Sequence, residues 1–149
     1  MKQGPERELV ARYLARSVAS GRPLGLTGFA VAELAESRAS SAAARKAEEM
    51  KAIAAQTGDG VTVALDERGR TLGSEAFAQL LARWRDEGKA SMNFVIGGAD
   101  GLDPALVARA AMTLSFSPLT WPHQLVRIML AEQLYRATTI LSGHPYHRE

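Results

Sequence analysis

Val61-Thr62-Val63-Ala64-Leu65-Asp66 is a short apolar run, and such a run is typical of a strand buried inside a parallel sheet. A second run of this kind, Ser91 to Ile96, ends at Gly97-Gly98, and the looser alternation from Leu26 to Leu34 predicts another strand. Helical spacing of apolar residues occupies the segments between and around these runs: Pro5–Ser20, Ser40–Gln56, Ser74–Glu87 with Ser74 as its cap, a segment opening at Pro104, and His123–Leu141. Strands that alternate with helices predict an α/β fold with a mostly parallel sheet and helices on both faces.

The composition indicates one globular domain, residues 1–149. Hydrophobic residues make up 46% of the chain, which is close to the globular average. Cysteine is absent, which excludes disulfides, thiolate metal sites and cysteine nucleophiles. No apolar run approaches the ~20 residues of a membrane span, and the N-terminus lacks the apolar core of a signal peptide. We therefore expect a soluble, cytoplasmic protein.

The charge balance gives little information about partners. Eighteen basic and 16 acidic residues leave a net charge of +2, too small to indicate nucleic-acid binding by itself. Most basic residues are arginines, which suit phosphates and stack on bases. A GC-rich coding sequence explains the arginines equally well, so both interpretations stay open.

The predicted sheet places its default ligand site at the carboxyl ends of the strands. Those ends are Leu65-Asp66, Gly97-Gly98 and the segment from Ser117 to Pro122. Ile96 to Leu102 has neither the G-x-G-x-x-G spacing of a dinucleotide fingerprint nor the lysine of a phosphate loop. Spacing alone leaves two alternatives for it, a ligand contact or a tight turn. Pro122 is expected to be a first helical residue, and Trp121 either stacks on a planar group or belongs to the core.

The chain ends in His144-Pro145-Tyr146-His147-Arg148-Glu149, which is rich in acid–base and stacking groups. A frayed terminus is the ordinary alternative. Zinc binding by His123, His144 and His147 is disfavoured by their spacing, and no metal is expected. A serine hydrolase is excluded because the G-x-S-x-G elbow is missing. On the last helix, Glu132 and Arg136 are spaced as an ordinary helix-supporting pair.

Taken together and in this order, four segments resemble the ribosomal RNA large-subunit methyltransferase H family. They are Gly97 to Leu102, Leu119 to Arg127, Ala131 to Arg136, and His144 to Glu149. The resemblance implies a SPOUT-type S-adenosylmethionine-dependent enzyme that methylates N3 of a pseudouridine in 23S ribosomal RNA, acting on assembled ribosomes. It also implies a C-terminal trefoil knot, an exception to the usual rule against knots. The implied partners are a second copy of the chain, held largely by the helix from His123, and the ribosome; neither a membrane nor DNA is expected.

The resemblance also implies roles for individual residues. Leu65 is expected to line the adenosine pocket and Gly98 to contact the cofactor through its backbone. The knot loop Ser117-Pro118-Leu119-Thr120-Trp121-Pro122 is expected to wrap the adenine and methionine moieties, although Trp121 stands where the family often has an aliphatic residue. We expect the tail residues Tyr146, His147 and Arg148 to face the nucleotide, with His147 as a candidate base and Arg148 as a clamp.

The sequence departs from the family pattern at its beginning. The family opens with a short apolar strand, whereas Met1-Lys2-Gln3 leads straight into Gly4-Pro5. We expect the sheet to lack that strand, which would leave backbone groups unpaired and weaken the fold. The alternative function is a catalytically idle SPOUT-like module that binds RNA or the ribosome, and cofactor binding distinguishes it from the enzyme.

Overall fold

The computed structural model describes residues 4–148, which form two compact units. The first, here called the helical unit, comprises residues 4–31, 72–88 and 124–148. The second, the sheet unit, comprises residues 32–71 and 89–123. The strand expected to be missing ahead of Gly4 concerns Met1 to Gln3, which lie outside the described residues. Within the described part of the chain, no helix is long and apolar enough to cross a bilayer.

The sheet unit contains a three-stranded parallel sheet in the order β2-β1-β3. Its strands are β1 (Val61–Arg70), β2 (Met92–Ile96) and β3 (Met112–Leu114). Helices α2 (Ala42–Thr57) and α4 (Pro104–Arg109) belong to the same unit. Their apolar side chains pack with the sheet in a core of Ala64, Val95 and Leu106, joined by Met50, Ile53, Leu102, Val107 and Ala110. The predicted α/β class with a parallel sheet is confirmed.

Strand β1 is longer than its apolar run predicts. Glu67 to Arg70 follows the sequence pattern of a loop, but the strand continues through it with a register shift between Leu65 and Arg70. Gly69 permits this, because a Cβ there would lie 2.6 Å from the Thr113 carbonyl oxygen. The Ser115 amide then donates to the Arg70 carbonyl at 2.8 Å. Backbone pairing with β3 therefore outweighs the loop-like polar composition of residues 67–70.

The helical unit contains α1 (Pro5–Gly21), α3 (Ser74–Asp86) and most of α5 (His123–Ser142). Helices α1 and α5 meet along small polar side chains, where the Ser20 and Thr138 hydroxyls share a hydrogen bond. Thr138 and Ser17 are fully buried. The hydroxyl of each donates a hydrogen bond to a backbone carbonyl of its own helix. This pairing removes the cost of burying the hydroxyls.

Three local predictions are wrong. Residues 26–34 form no strand: the Leu26 amide caps α1 by donating to the Gly21 carbonyl, and Gly28 takes a left-handed φ of 74°. No strand of the described residues pairs with the segment. Ser74 is the first residue of α3 rather than its cap, which is Gly73, and its hydroxyl donates to Gln133. Pro122 precedes α5, which begins at His123.

Candidate functional site

Strand pairing in the sheet unit brings the predicted cofactor residues to one edge. Leu65 is the last residue of β1 that pairs with β2, opposite Ile96, and on its other side it pairs with Leu114 of β3. The glycine segment, residues 97–101, follows Ile96, and the segment leading to Ser117 follows Leu114. Because the strands are parallel, both segments leave the sheet beside Leu65. The glycines and the segment leading to the 117–122 loop therefore both start from the edge of the sheet at which Leu65 lies.

The glycine segment forms a tight turn that only glycine allows at two positions. The Gly101 amide donates to the Gly98 carbonyl at 3.0 Å, and Gly101 has a φ of +82°. At Gly97 a Cβ would lie 2.7 Å from the Gly101 carbonyl carbon, closer than real Cβ atoms come. At Gly98 a Cβ would meet only the Glu49 carboxylate, at 3.5 Å. The tight-turn alternative therefore accounts for Gly97 and Gly101, whereas Gly98 has room on that side.

The loop after β3 is organised by Ser115, a residue that the sequence reasoning passed over. Ser115 is buried, its hydroxyl lies 2.8 Å from the Ser117 carbonyl and 3.1 Å from the Glu67 carbonyl, and it accepts from the Ser117 amide. The Ser117 hydroxyl in turn accepts from the Leu119 amide at 2.9 Å. A serine directly after a strand was the available signal, because such hydroxyls commonly close local turns. These bonds fix the start of the predicted knot loop.

Farther along this loop, two large apolar side chains are exposed. Leu119 exposes 64% of its surface and Trp121 exposes 38%. The alternative that placed Trp121 in the core is therefore wrong. Exposed apolar side chains beside loop backbone are what a nucleoside site needs: flat surface for a base, and amides and carbonyls for its polar edge. With Leu65 and Gly98 on the same edge of the sheet, this set of groups fits an adenosine-containing cofactor.

The C-terminal tail follows a different course, within the helical unit. Gly143, with a φ of 75°, ends α5, and the His144 amide donates to the Thr139 carbonyl at 2.9 Å. The Tyr146 ring then packs edge-on against Tyr135, with centroids 4.7 Å apart. A frayed tail is thus not what the described residues show up to Arg148, which is itself exposed.

Arg136 joins the tail to α5 and has more contacts than a helix-supporting pair requires. Its Nε donates to Glu132 at 2.7 Å, and its guanidinium carbon lies 4.9 Å from the Tyr146 ring centroid. One terminal nitrogen lies 3.1 Å from Nδ1 of His147. Arginine can only donate, so this contact assigns Nδ1 as an acceptor and leaves the proton of the neutral ring on Nε2. Nε2 lies 3.7 Å from a Glu75 carboxylate oxygen.

The Tyr146 phenol is held in its neutral form. Burial, the negative Glu132 and the Tyr13 phenol raise its pKa, and only the Arg136 charge opposes them. We expect its phenolate to appear above the usual pH of about 10. Since the raised pKa favours the neutral phenol in the folded state, this contribution to stability is present below that pH and is lost as the pH rises through the folded pKa.

Ultraviolet difference titration checks this expectation, because the chain has only three tyrosines. Tyr146→Phe should remove a tyrosine step that lies above the usual pH of about 10. Loss of a step near pH 10 instead would contradict the assignment.

Within residues 4–148, no three histidine, aspartate or glutamate side chains come close enough together to hold a metal ion. Of the predicted site residues, Leu65, Gly98 and the 117–122 loop belong to the sheet unit, whereas Tyr146, His147 and Arg148 belong to the helical unit.

Comparison with known proteins identifies the family of this chain. Residues 1–147 match the family model described as "Predicted SPOUT methyltransferase". A protein of Rhodopseudomonas palustris, named Ribosomal RNA large subunit methyltransferase H, is 62% identical over 99% of this chain and 93% of its own length. Proteins of the same name from Rhizobium leguminosarum bv. trifolii and Bradyrhizobium diazoefficiens are each 57% identical over the same shares. The chain belongs to the SPOUT methyltransferase family.

Proposed function

We propose that this chain is an S-adenosylmethionine-dependent methyltransferase that methylates N3 of a pseudouridine in large-subunit ribosomal RNA. Family membership and the name shared by its relatives support the proposal. The observation that carries it is the convergence of three segments on one sheet edge: Leu65, the glycine turn and the loop closed by Ser115.

In this proposal the edge binds the cofactor. Leu65 and Leu119 contact the adenine, Gly98 contributes backbone groups, and Ser117-Pro118-Leu119-Thr120-Trp121-Pro122 wraps the ligand. When bound, S-adenosylmethionine supplies a methyl group already activated by the sulfonium charge. The protein therefore has to orient the acceptor and remove one proton from an imide nitrogen.

The tail residues provide the groups for that deprotonation. His147 is the proposed base and can take a proton only at Nδ1, which requires the Arg136 contact to open. Arg148 is exposed and is proposed to neutralise the charge that develops on the flanking carbonyl oxygens. Tyr146, held neutral, donates a hydrogen bond to the nucleotide.

The proposal extends to the assembly. Residues 1–149 form one SPOUT domain with helices on both faces of the sheet and a trefoil knot near its C-terminus. The protein is a homodimer built largely on α5, and it works in the cytoplasm on assembled ribosomes. In support of the single domain, one family model spans residues 1–147.

Transfer of labelled methyl groups tests this function. Purified protein and S-adenosylmethionine are incubated with 70S ribosomes, 50S subunits or naked 23S RNA, all from a strain that lacks the modification. We expect transfer to assembled particles and little to naked RNA. Binding to ribosomes without S-adenosylmethionine binding or methyl transfer would replace the proposal with the idle RNA-binding module.

A further inference from the structure

Helix α2 is tied to the glycine turn by one arginine. The Arg45 Nε donates to Oδ2 of Asp100 at 2.7 Å, and a terminal nitrogen donates to Oδ1 at 3.2 Å. The other terminal nitrogen donates to the Ala39 carbonyl at 3.1 Å. The guanidinium is thus held on both sides. Its two parallel bonds to the Asp100 carboxylate form a bidentate ion pair, which requires a specific orientation of both groups.

Asp100 lies in the glycine turn, at the sheet edge that is proposed to bind the cofactor. Its ion pair with Arg45 can therefore influence the conformation of that turn. Asp100 lies between Gly98 and Gly101, inside the turn closed by the Gly101 amide and the Gly98 carbonyl. Gly101 needs a left-handed backbone, and glycines leave a turn free to adopt other conformations. A second anchor on the intervening residue removes that freedom and holds the Gly98 backbone in one orientation.

The pair is poorly placed to stabilise the fold as a whole. The side chains of Arg45 and Asp100 are 30% and 26% exposed, and ion pairs this open to water contribute little to global stability. Their effect is local. A binding loop that is already ordered loses less conformational entropy when the ligand binds. Preorganisation of the loop therefore raises the affinity for the ligand.

We propose that Arg45 is a positioning residue for the cofactor, acting through Asp100 to preorganise the Gly98 backbone. The inference rests on the proposed S-adenosylmethionine binding. Arg45 touches neither ligand nor reacting atoms in this account.

The first test compares S-adenosylmethionine affinity by calorimetry. Arg45→Gln should bind about tenfold more weakly, and Asp100→Asn should match it. The double variant should lose no more than either single variant, because all three remove the same contact. Arg45→Lys, which keeps the charge but only one bond, should fall between the wild type and Arg45→Gln.

Steady-state kinetics separate positioning from catalysis. KM for S-adenosylmethionine should rise about tenfold in Arg45→Gln, while kcat at saturating cofactor stays within about twofold.

An NMR titration supplies an independent readout. The Arg45 hydrogen bonds hold the pKa of the Asp100 carboxyl below its usual range, and this pKa should return toward the usual value in Arg45→Gln.

Arg109→Gln is the matched control, since it removes another arginine contact to α2. The hydrogen bonds of Arg109 go to the Met50 sulfur and the Ala105 carbonyl rather than to the glycine turn. Its affinity for S-adenosylmethionine should equal that of the wild type. Equal affinity in Arg45→Gln and the wild type, or an Arg109→Gln loss as large as that of Arg45→Gln, would overturn the inference. A folded wild-type protein that binds no S-adenosylmethionine would instead overturn the proposed function.

Discussion

Replacing Gly97 with alanine is expected to weaken S-adenosylmethionine binding by at least about 100-fold. The added Cβ would lie 2.7 Å from the Gly101 carbonyl carbon and 2.9 Å from the Leu102 nitrogen. Both are backbone atoms, so relief requires the turn to open, and opening it displaces Gly98. Two powers of ten correspond to about 2.7 kcal/mol, within the cost of forcing a poor fit into a packed site. Calorimetric titration measures the loss.

Gly73→Ala is the control for this variant. No atom beyond the two neighbouring residues lies within 4 Å of the position that a Cβ at Gly73 would take, and its φ of −69° suits any residue. Its affinity for S-adenosylmethionine should stay close to that of the wild type, because Gly73 lies outside the glycine turn. The account of the glycine turn fails if Gly97→Ala is folded and binds the cofactor as tightly as Gly73→Ala.

Replacing His147 with alanine is expected to lower kcat by about 100-fold or more, because general-base catalysis typically contributes 10² to 10⁴. Affinity for S-adenosylmethionine should be unchanged, since the residues proposed to bind it lie on the sheet edge rather than in the tail. Methyl transfer to ribosomes, measured across a range of pH, gives the rate, and calorimetry gives the affinity.

His123→Ala serves as the histidine control, because His123 lies at the start of α5 and is outside the tail. It should methylate at close to the wild-type rate. A His147→Ala enzyme that keeps a near-wild-type rate at every pH would remove His147 from the role of base. In that case, Arg148 and Tyr146 would remain as the tail groups to test.

The sheet edge that is proposed to bind the cofactor was predictable because its signals are local. The apolar run from Val61 to Leu65 and the run ending at Ile96 each specify a buried strand, and parallel pairing then fixes which ends meet. Residues 26–34 show the limit of such reasoning. Their alternation is weak, and whether a segment becomes a strand depends on a partner that no local pattern reveals.

The contacts of Arg136 and Arg45 were beyond prediction for a related reason. The i,i+4 spacing indicates the pairing of Glu132 with Arg136, but the approach of Arg136 to Tyr146 and His147 depends on how the tail folds back. Arg45 and Asp100 are 55 residues apart in the chain. Their contact follows from the packing of α2 on the sheet, and nothing in either local sequence points to the other.

Mass spectrometry of digested 23S RNA tests the central claim most directly. Ribosomes that lack the modification are incubated with the protein and S-adenosylmethionine carrying a deuterated methyl group. The account predicts one new nucleoside, pseudouridine with the deuterated methyl on N3, which is absent when the cofactor is omitted and greatly reduced on naked RNA. A label on another base or on another atom of pseudouridine, or no label from a folded protein that binds the cofactor, would contradict it.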